Sequence, residues 1–397
     1  MTTSTTNWDS GMDYGFFAIR SMMWTVGLWP VQRNNVIYTM QWLVAFAIGS
    51  LTMLNVLIES FRSCGIARDG LEIFRLIESC VHAWLNLIFP RIYMKKLAVN
   101  VNSAIDDWSS PFMRKESRAT MTAYARTGRL VALAQLAVGS AGSVLWFASV
   151  FLDNRRKVAS NNNATTWNFV LPSTCLYKGV SYSTYELLFA MQIVQGTVVF
   201  IAECACDSFF FSITVHLCGQ LELLKMKFTE IDKNSDNKHR NGNILGPLVE
   251  RHCHLIVLAR NIEDAFNIYI LLRLLIINIV IATGGINVIL LFNDHDYKGV
   301  LKIITAIQFY MVQIFLYTYA GDILQNQSLS ILSAVYNSTW YEMSPVTVKD
   351  LVFVMMRTKI PLRISAGKFF YLTRATMTDI LKTTLSYISF LRVTMEN

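Results

Sequence analysis

The chain has 397 residues, of which 53% are apolar and 16% charged, with a net charge of +8 and a mean hydropathy of +0.38. Soluble globular proteins carry roughly 25% charged residues, so the composition argues against a large soluble enzyme, a disordered regulator or a nucleic-acid binder. The seven cysteines are scattered and form no CxxC pair, which argues against a disulfide framework or a zinc module. What remains is a multi-pass membrane protein.

The N-terminal segment, 1–33, does not read as a signal peptide. Arg20 is followed by SMMWTVGLWP, which reaches Pro30 without a small-residue cleavage site. Trp24, Trp29 and Pro30 suit an interfacial stretch leading into the first span. A helix needs about 20 mainly apolar residues to cross about 30 Å of hydrocarbon. Asn34–Ile58, Leu130–Leu152, Leu274–Asn293 and Ile303–Gly321 are charge-free and meet that length, or nearly so. Leu71–Tyr93, Ser183–Leu221 and Gly367–Val393 are long enough but carry charges. The runs are too long and continuous for transmembrane strands, which need about 10 alternating residues. The expected fold is therefore all-α, with seven transmembrane helices.

Lys and Arg set the orientation. They favour the N-terminus and connections 2–3, 4–5 and 6–7 over the other side by about three to one. This predicts a cytosolic N-terminus and an extracellular C-terminus. The sequon at Asn163 then falls on the outer side, where it is a candidate glycosylation site. A G-protein-coupled receptor would have the opposite topology, and no Asn-Pro-x-x-Tyr occurs in span 7.

Several spans carry polar residues. Arg75, Glu78, His82 and Asn86 share one face of span 2. They make either the wall of a binding cavity or an internal ion-pair stripe, and His82 is the undecided member. In span 3, Gly139, Gly142 and Ser143 precede Trp146. Small residues beside a large aromatic suit a pocket for a small apolar ligand, or close helix packing. Met191, Gln192 and Gln195 in span 4, Phe309, Tyr310 and Gln313 in span 6, and more weakly Asn278 in span 5 are further wall candidates. Glu203 and Arg273 are placed to pair between spans 4 and 5. His252-Cys253-His254 and Cys204-Ala205-Cys206 lack the spacing of a metal site, so no metal or cofactor is expected.

Between spans 6 and 7, Ile323–Tyr341 is uncharged yet rich in Gln, Asn and Ser. It reads as a helix packed in protein beside the membrane. A second helix is expected over 345–359, with Ser344 as N-cap and Pro345 at its first position, ended by Pro361. In the last span, Thr383, Ser386, Phe390 and Val393 share one face. That face reads either as a wet pore closed by an apolar ring or as an interhelical hydrogen-bonding seam.

The C-terminal third carries Tyr336-Asn-Ser-Thr-Trp340-Tyr, Met355-Met-Arg357-Thr-Lys-Ile-Pro361-Leu, Ala366-Gly367-Lys368-Phe369-Phe370 and Ile380-Leu-Lys382-Thr-Thr-Leu-Ser386-Tyr387-Ile-Ser-Phe390-Leu391. In order and spacing this resembles the insect odorant receptor family. Ser386-Tyr387 without a following Gln-Phe favours that branch over the gustatory receptors, which are the alternative. The short connection 4–5 resembles a ligand-selective subunit rather than the shared co-receptor. The resemblance implies a ligand-gated, non-selective cation channel, passing monovalent and divalent cations and assembled as a heterotetramer with the co-receptor. It implies a small volatile ligand, bound in the outer half of 34–320, and surrounding membrane lipids. It implies residence in the plasma membrane of olfactory sensory neurons. Residues 321–366 would then be the cytosolic assembly anchor, with Tyr336, Trp340, Pro361 and Gly367 as its marks. Residues 367–397 would be the pore-lining span and a short extracellular tail, with Thr383, Ser386, Phe390 and Val393 lining the pore.

Overall fold

The structure, a computed structural model, describes residues 10–32, 35–62, 70–109, 114–159, 167–171, 173, 176–230 and 241–396. It is built from ten α-helices among those residues: α1 (Ser10–Thr25), α2 (Val36–Arg62), α3 (Gly70–Ile92), α4 (Met94–Ser109), α5 (Lys115–Ala159), α6 (Tyr182–Glu230), α7 (Asn241–Asn293), α8 (Tyr297–Tyr336), α9 (Pro345–Thr358) and α10 (Arg374–Glu396). Seven of these, α2, α3, α5, α6, α7, α8 and α10, reach membrane-spanning length. They coincide with the seven expected spans. Stretches in α2, α5, α6, α7 and α8 are also apolar enough to cross a membrane by composition.

The helices run well beyond the apolar stretches. A hydropathy signal reports only the part that meets lipid, whereas the helix continues wherever its polar extension finds a partner. α8 therefore passes without a break through the segment expected as a separate helix beside the membrane, and ends at Tyr336 with Asn337 as its cap. At its start the Asp296 side chain accepts from the Gly299 N–H. The basic connection between α3 and α5 holds α4, whose Met94, Leu97, Val101, Ala104 and Ile105 are buried at helical spacing. The N-terminal stretch folds as α1 and is buried rather than interfacial along one side: Met12, Phe16, Ile19 and Met23 enter the core, and Trp29 follows them.

α6 is the central post. Every residue from 202 to 221 is buried, as befits a helix enclosed on all sides. Around it the outward faces stay apolar and exposed, including Leu51 and Leu54 on α2, Leu130 and Val144 on α5, Leu187 and Val194 on α6, Leu275 and Ile279 on α7, and Leu301 and Ile304 on α8. Such a contiguous apolar surface suits lipid, not water.

α9 begins where the sequence places it. The Ser344 side chain accepts from the Thr347 N–H, and Pro345 opens the helix. The last helix does not start near Gly367 as expected. Residues 365–366 and 370–371 form a small antiparallel hairpin, and α10 begins at Arg374. Gly367 turns that hairpin at φ +58°, and a Cβ there would meet Leu271 Cδ2 at 2.3 Å. Only glycine meets both demands. Its N–H donates to the Asn267 carbonyl, so the hairpin is stitched to α7.

Candidate ligand cavity

A cavity of about 200 Å³ opens between α2, α3, α5, α6 and α8. An apolar cavity of about 150 Å³ accepts benzene, so this one suits a single small ring. Gly139, Gly142, Ser143, Trp146 and Phe147 of α5 form one wall. Gly196, Val199, Phe200 and Glu203 recur on one face of α6, and Lys302, Thr305, Ala306, Phe309 and Tyr310 come from α8. Thr52 of α2 and Cys80 of α3 complete it.

The two span-3 glycines play different parts. A Cβ at Gly139 would stand 2.2 Å from Phe200 Cε2 and 2.9 Å from Phe309 Cε2. Gly139 thus admits the two rings, whose centroids lie 6.1 Å apart, a separation typical of aromatic pairs. A Cβ at Gly142 would meet nothing nearer than Thr305 Oγ1 at 3.8 Å, so Gly142 borders open space.

The roof is a loop held from several sides. Val170 and Leu171 line the cavity. The Leu171 N–H donates to Gln192 Oε1 at 3.1 Å, and Gln192 Nε2 donates to Ser173 Oγ at 2.9 Å. Asn154 Nδ2 donates to the Asn168 carbonyl at 2.7 Å, and Asn154 Oδ1 accepts from the Asn168 N–H at 3.0 Å. Trp167 stacks on Tyr185 at 5.0 Å between centroids.

The floor is ionic. Arg273 Nη2 of α7 lies 3.1 Å from Glu203 Oε1 and 3.1 Å from Asp207 Oδ2. His82 Nδ1 of α3 lies 3.5 Å from the same Glu203 oxygen. Asp207 also accepts from Tyr269 at 2.9 Å, from Tyr317, and from Gln135 Nε2 at 3.0 Å. Tyr269 also contacts Asn86 Oδ1 at 2.6 Å. Five helices therefore meet on two carboxylates and one guanidinium. Buried charges in a membrane protein persist only when paired in this way.

Of the wall residues named from sequence, Gly139, Gly142, Ser143, Trp146, Phe309 and Tyr310 come together on the cavity. His82 stands one layer behind, fully buried, with its ring 6.2 Å from Tyr310. Gln313 is fully enclosed between the levels of Tyr310 and Tyr317, and Gln195 is buried, but neither lines the cavity. Met191 faces outward and is 52% exposed, a correction that follows from the rotational phase of α6. Gln192 secures the roof instead of touching the cavity. The expected Glu203–Arg273 pair is present. The Arg75 side chain and Asn163 lie outside the described residues. Sequence reasoning missed Phe200, Thr305, Lys302 and the roof. The spacing of Gly196, Phe200 and Glu203 along α6 was the available signal.

In the last helix, Thr384 and Ile388 pack on α7, with Ile388 Cδ1 2.6 Å from where a Cβ on Gly285 would stand. Thr383, Ser386, Phe390 and Val393 lie on the opposite side and are all exposed. Tyr336 is 65% exposed, and Trp340 Nε1 donates to its carbonyl at 3.2 Å. Pro361 is half-buried. Gly367 lies inside the protomer, against α7.

A family model described as 7tm Odorant receptor matches residues 106–385. Odorant receptor 22c of Drosophila melanogaster is 25% identical over 303 residues, which is 72% of each chain. Odorant receptor 82a of the same fly is 25% identical over 211 residues, covering 52% of this chain and 53% of that one. The structure of the insect olfactory receptor OR5 from Machilis hrabei in complex with eugenol matches with a TM-score of 0.79 at 15% identity, covering 96% of this chain and 100% of that one. The same receptor's structure described without eugenol gives 0.80 at 14% identity, covering 96% and 99%. At that identity the likeness establishes the fold, and the fold is not that of a G-protein-coupled receptor. The family match spans well over half of the chain, and the seven long helices agree with it: this protein belongs to the odorant receptor family.

Proposed function

We propose that this chain is a ligand-selective subunit of an odorant-gated, non-selective cation channel. It sits in the plasma membrane of olfactory sensory neurons with its N-terminus in the cytosol, and it assembles with the shared co-receptor into a heterotetramer. A small volatile enters the aromatic cavity and shifts the balance between closed and open states.

The observation that carries the channel reading is the exposed side of α10. Thr383, Ser386, Phe390 and Val393 are exposed, together with Asp379 and Lys382. A charged residue facing lipid at mid-membrane costs about 2.5–3.5 kcal/mol on insertion scales. This side of the helix therefore favours water or another subunit over lipid. Around a central axis, four such helices would form a wet path narrowed by an apolar ring at Phe390. The exposed Tyr336, Trp340, Tyr341, Phe353 and Met356 supply an apolar surface for subunit contact on α8, α9 and the turn between them.

The deciding experiment is whole-cell recording of a volatile panel with and without the co-receptor, combined with cysteines placed singly at 383, 386, 390 and 393. Ligand-evoked current that water-borne thiol reagents block at those positions supports the reading. Normal currents with no reaction at any of the four positions would remove α10 from the pore. Epitope tags at the two termini test the orientation independently.

A further inference from the structure

The cavity has a chemical polarity that its aromatic walls conceal. Glu203 is the one carboxylate among the described lining residues. About a tenth of its side chain remains accessible, and the residue lines the cavity. Its neighbour Asp207 is fully buried and saturated, with Arg273, Tyr269, Tyr317 and Gln135 all donating to it. Among the described residues, Glu203 pairs with Arg273 at 3.1 Å and His82 at 3.5 Å, both on Oε1. An ionised carboxylate offers about four acceptor sites and no donor. Arg273 fixes the carboxylate in place on Oε1, and the remaining acceptor capacity is what the cavity offers a ligand.

Resting on the odorant-cavity reading above, we infer that Glu203 is the specificity-determining acceptor of this receptor, and that the preferred ligand class is a small ring bearing a hydroxyl that donates to Glu203. A neutral hydroxyl fits better than an ammonium group. The ammonium would approach the same carboxylate that Arg273 already holds, in a cavity that Lys302 also lines, and both cations repel it. It would also cost more to bring out of water. Lys302 stands eight residues before Tyr310 on α8, about 12 Å along the helix axis, so it does not compete for the hydroxyl at the floor. Ethers and esters of the same shape can fill the aromatic space, but they leave the open acceptor without a donor, and a buried unpaired polar group is the source of strong discrimination.

The test uses matched pairs: phenol with anisole, and benzyl alcohol with benzyl methyl ether. Each is applied to the full chain with its co-receptor, as an agonist or as a competitor of any volatile that opens the channel. A hydrogen bond to a charged acceptor predicts that the hydroxyl member is about 10- to 100-fold more potent. Glu203→Gln, which can donate as well as accept, brings the two members within about threefold while the ether response persists. Equal potency within each pair on the unmodified receptor would overturn the inference, and it needs no variant to fold. So would a preference that survives Glu203→Gln in a receptor present at the cell surface. Trp146→Ala separates the two levels of the argument. If it leaves every ligand response unchanged, the cavity reading itself fails. If it weakens both members of a pair while they remain equally potent, only the role of Glu203 fails.

Discussion

The Thr384 hydroxyl of α10 donates to Asn278 Oδ1 of α7 across 2.5 Å. Asn278 lies five residues from Arg273, the guanidinium under the cavity floor, on the same helix. One rigid element thus touches both the candidate ligand site and the candidate pore helix. This is the kind of two-site contact through which a ligand could bias a distant equilibrium.

Severing that tie should weaken coupling without touching the cavity. Thr384→Val removes one buried hydrogen bond, about 1 kcal/mol, which is about fivefold in an equilibrium. The half-activating ligand concentration should rise by about that factor while the surface level and the ranking of ligands stay unchanged. Dose–response currents with surface labelling check this. A changed ranking would place Thr384 in ligand selection instead.

The ionic floor should be indispensable to assembly of the bundle. Arg273→Met leaves Glu203 and Asp207 buried without their cation, a loss of about 3–5 kcal/mol. We expect little protein at the cell surface. Adding Glu203→Gln and Asp207→Asn to the same chain should restore part of it, because the stranded charges are then gone. Surface biotinylation of the single and triple variants reads the difference.

The two cavity glycines should respond differently. Gly139→Ala forces a methyl group against Phe200 and Phe309, and overpacking of this kind costs about 1–3 kcal/mol. Responses to all ligands should fall. Gly142→Ala fits without a clash, since its nearest neighbour would be 3.8 Å away. It should instead remove the largest ligands from the active range and spare the smallest. A homologous series of ring-substituted odorants distinguishes the two outcomes.

Phe390→Ala should raise basal current and change relative cation permeability. The ring is 67% exposed on one protomer and stands on the side of α10 away from its packing partners. An apolar ring of this size gates by excluding water. Reversal potentials in mixed-cation solutions and ligand-free current measure the effect. If both are unchanged, the constriction lies elsewhere.

The spans were legible because a membrane demands unbroken apolar runs whose backbone groups are satisfied internally. Asn34–Ile58 or Leu274–Asn293 cannot read as much else. The lengths of α5 through α8 were not legible, because outside lipid a helix continues or stops according to what packs on it. α4 is a case in point. Its polar residues conceal an amphipathic face that only its packing partners, chiefly α7 and the segment after α1, make useful. At the cavity, Gly139, Gly142 and Trp146 were readable together because small residues beside an aromatic leave space on one helix face. Phe200 was not, and Met191 was misplaced, because α6 is apolar nearly all round and its sequence does not announce which side faces α5.

The sequence alone determined the solvent, the number of crossings and the polar side of the last helix, and it raised the pairing of Glu203 with Arg273 that the structure then made. Each of these follows from local composition and from the high cost of a lone charge in a membrane. Only the tertiary structure decided that Asp207 absorbs four donors while Glu203 keeps acceptor capacity open to the cavity. That division depends on how five helices are rotated about their own axes, and helical periodicity leaves such rotation undetermined until the faces meet.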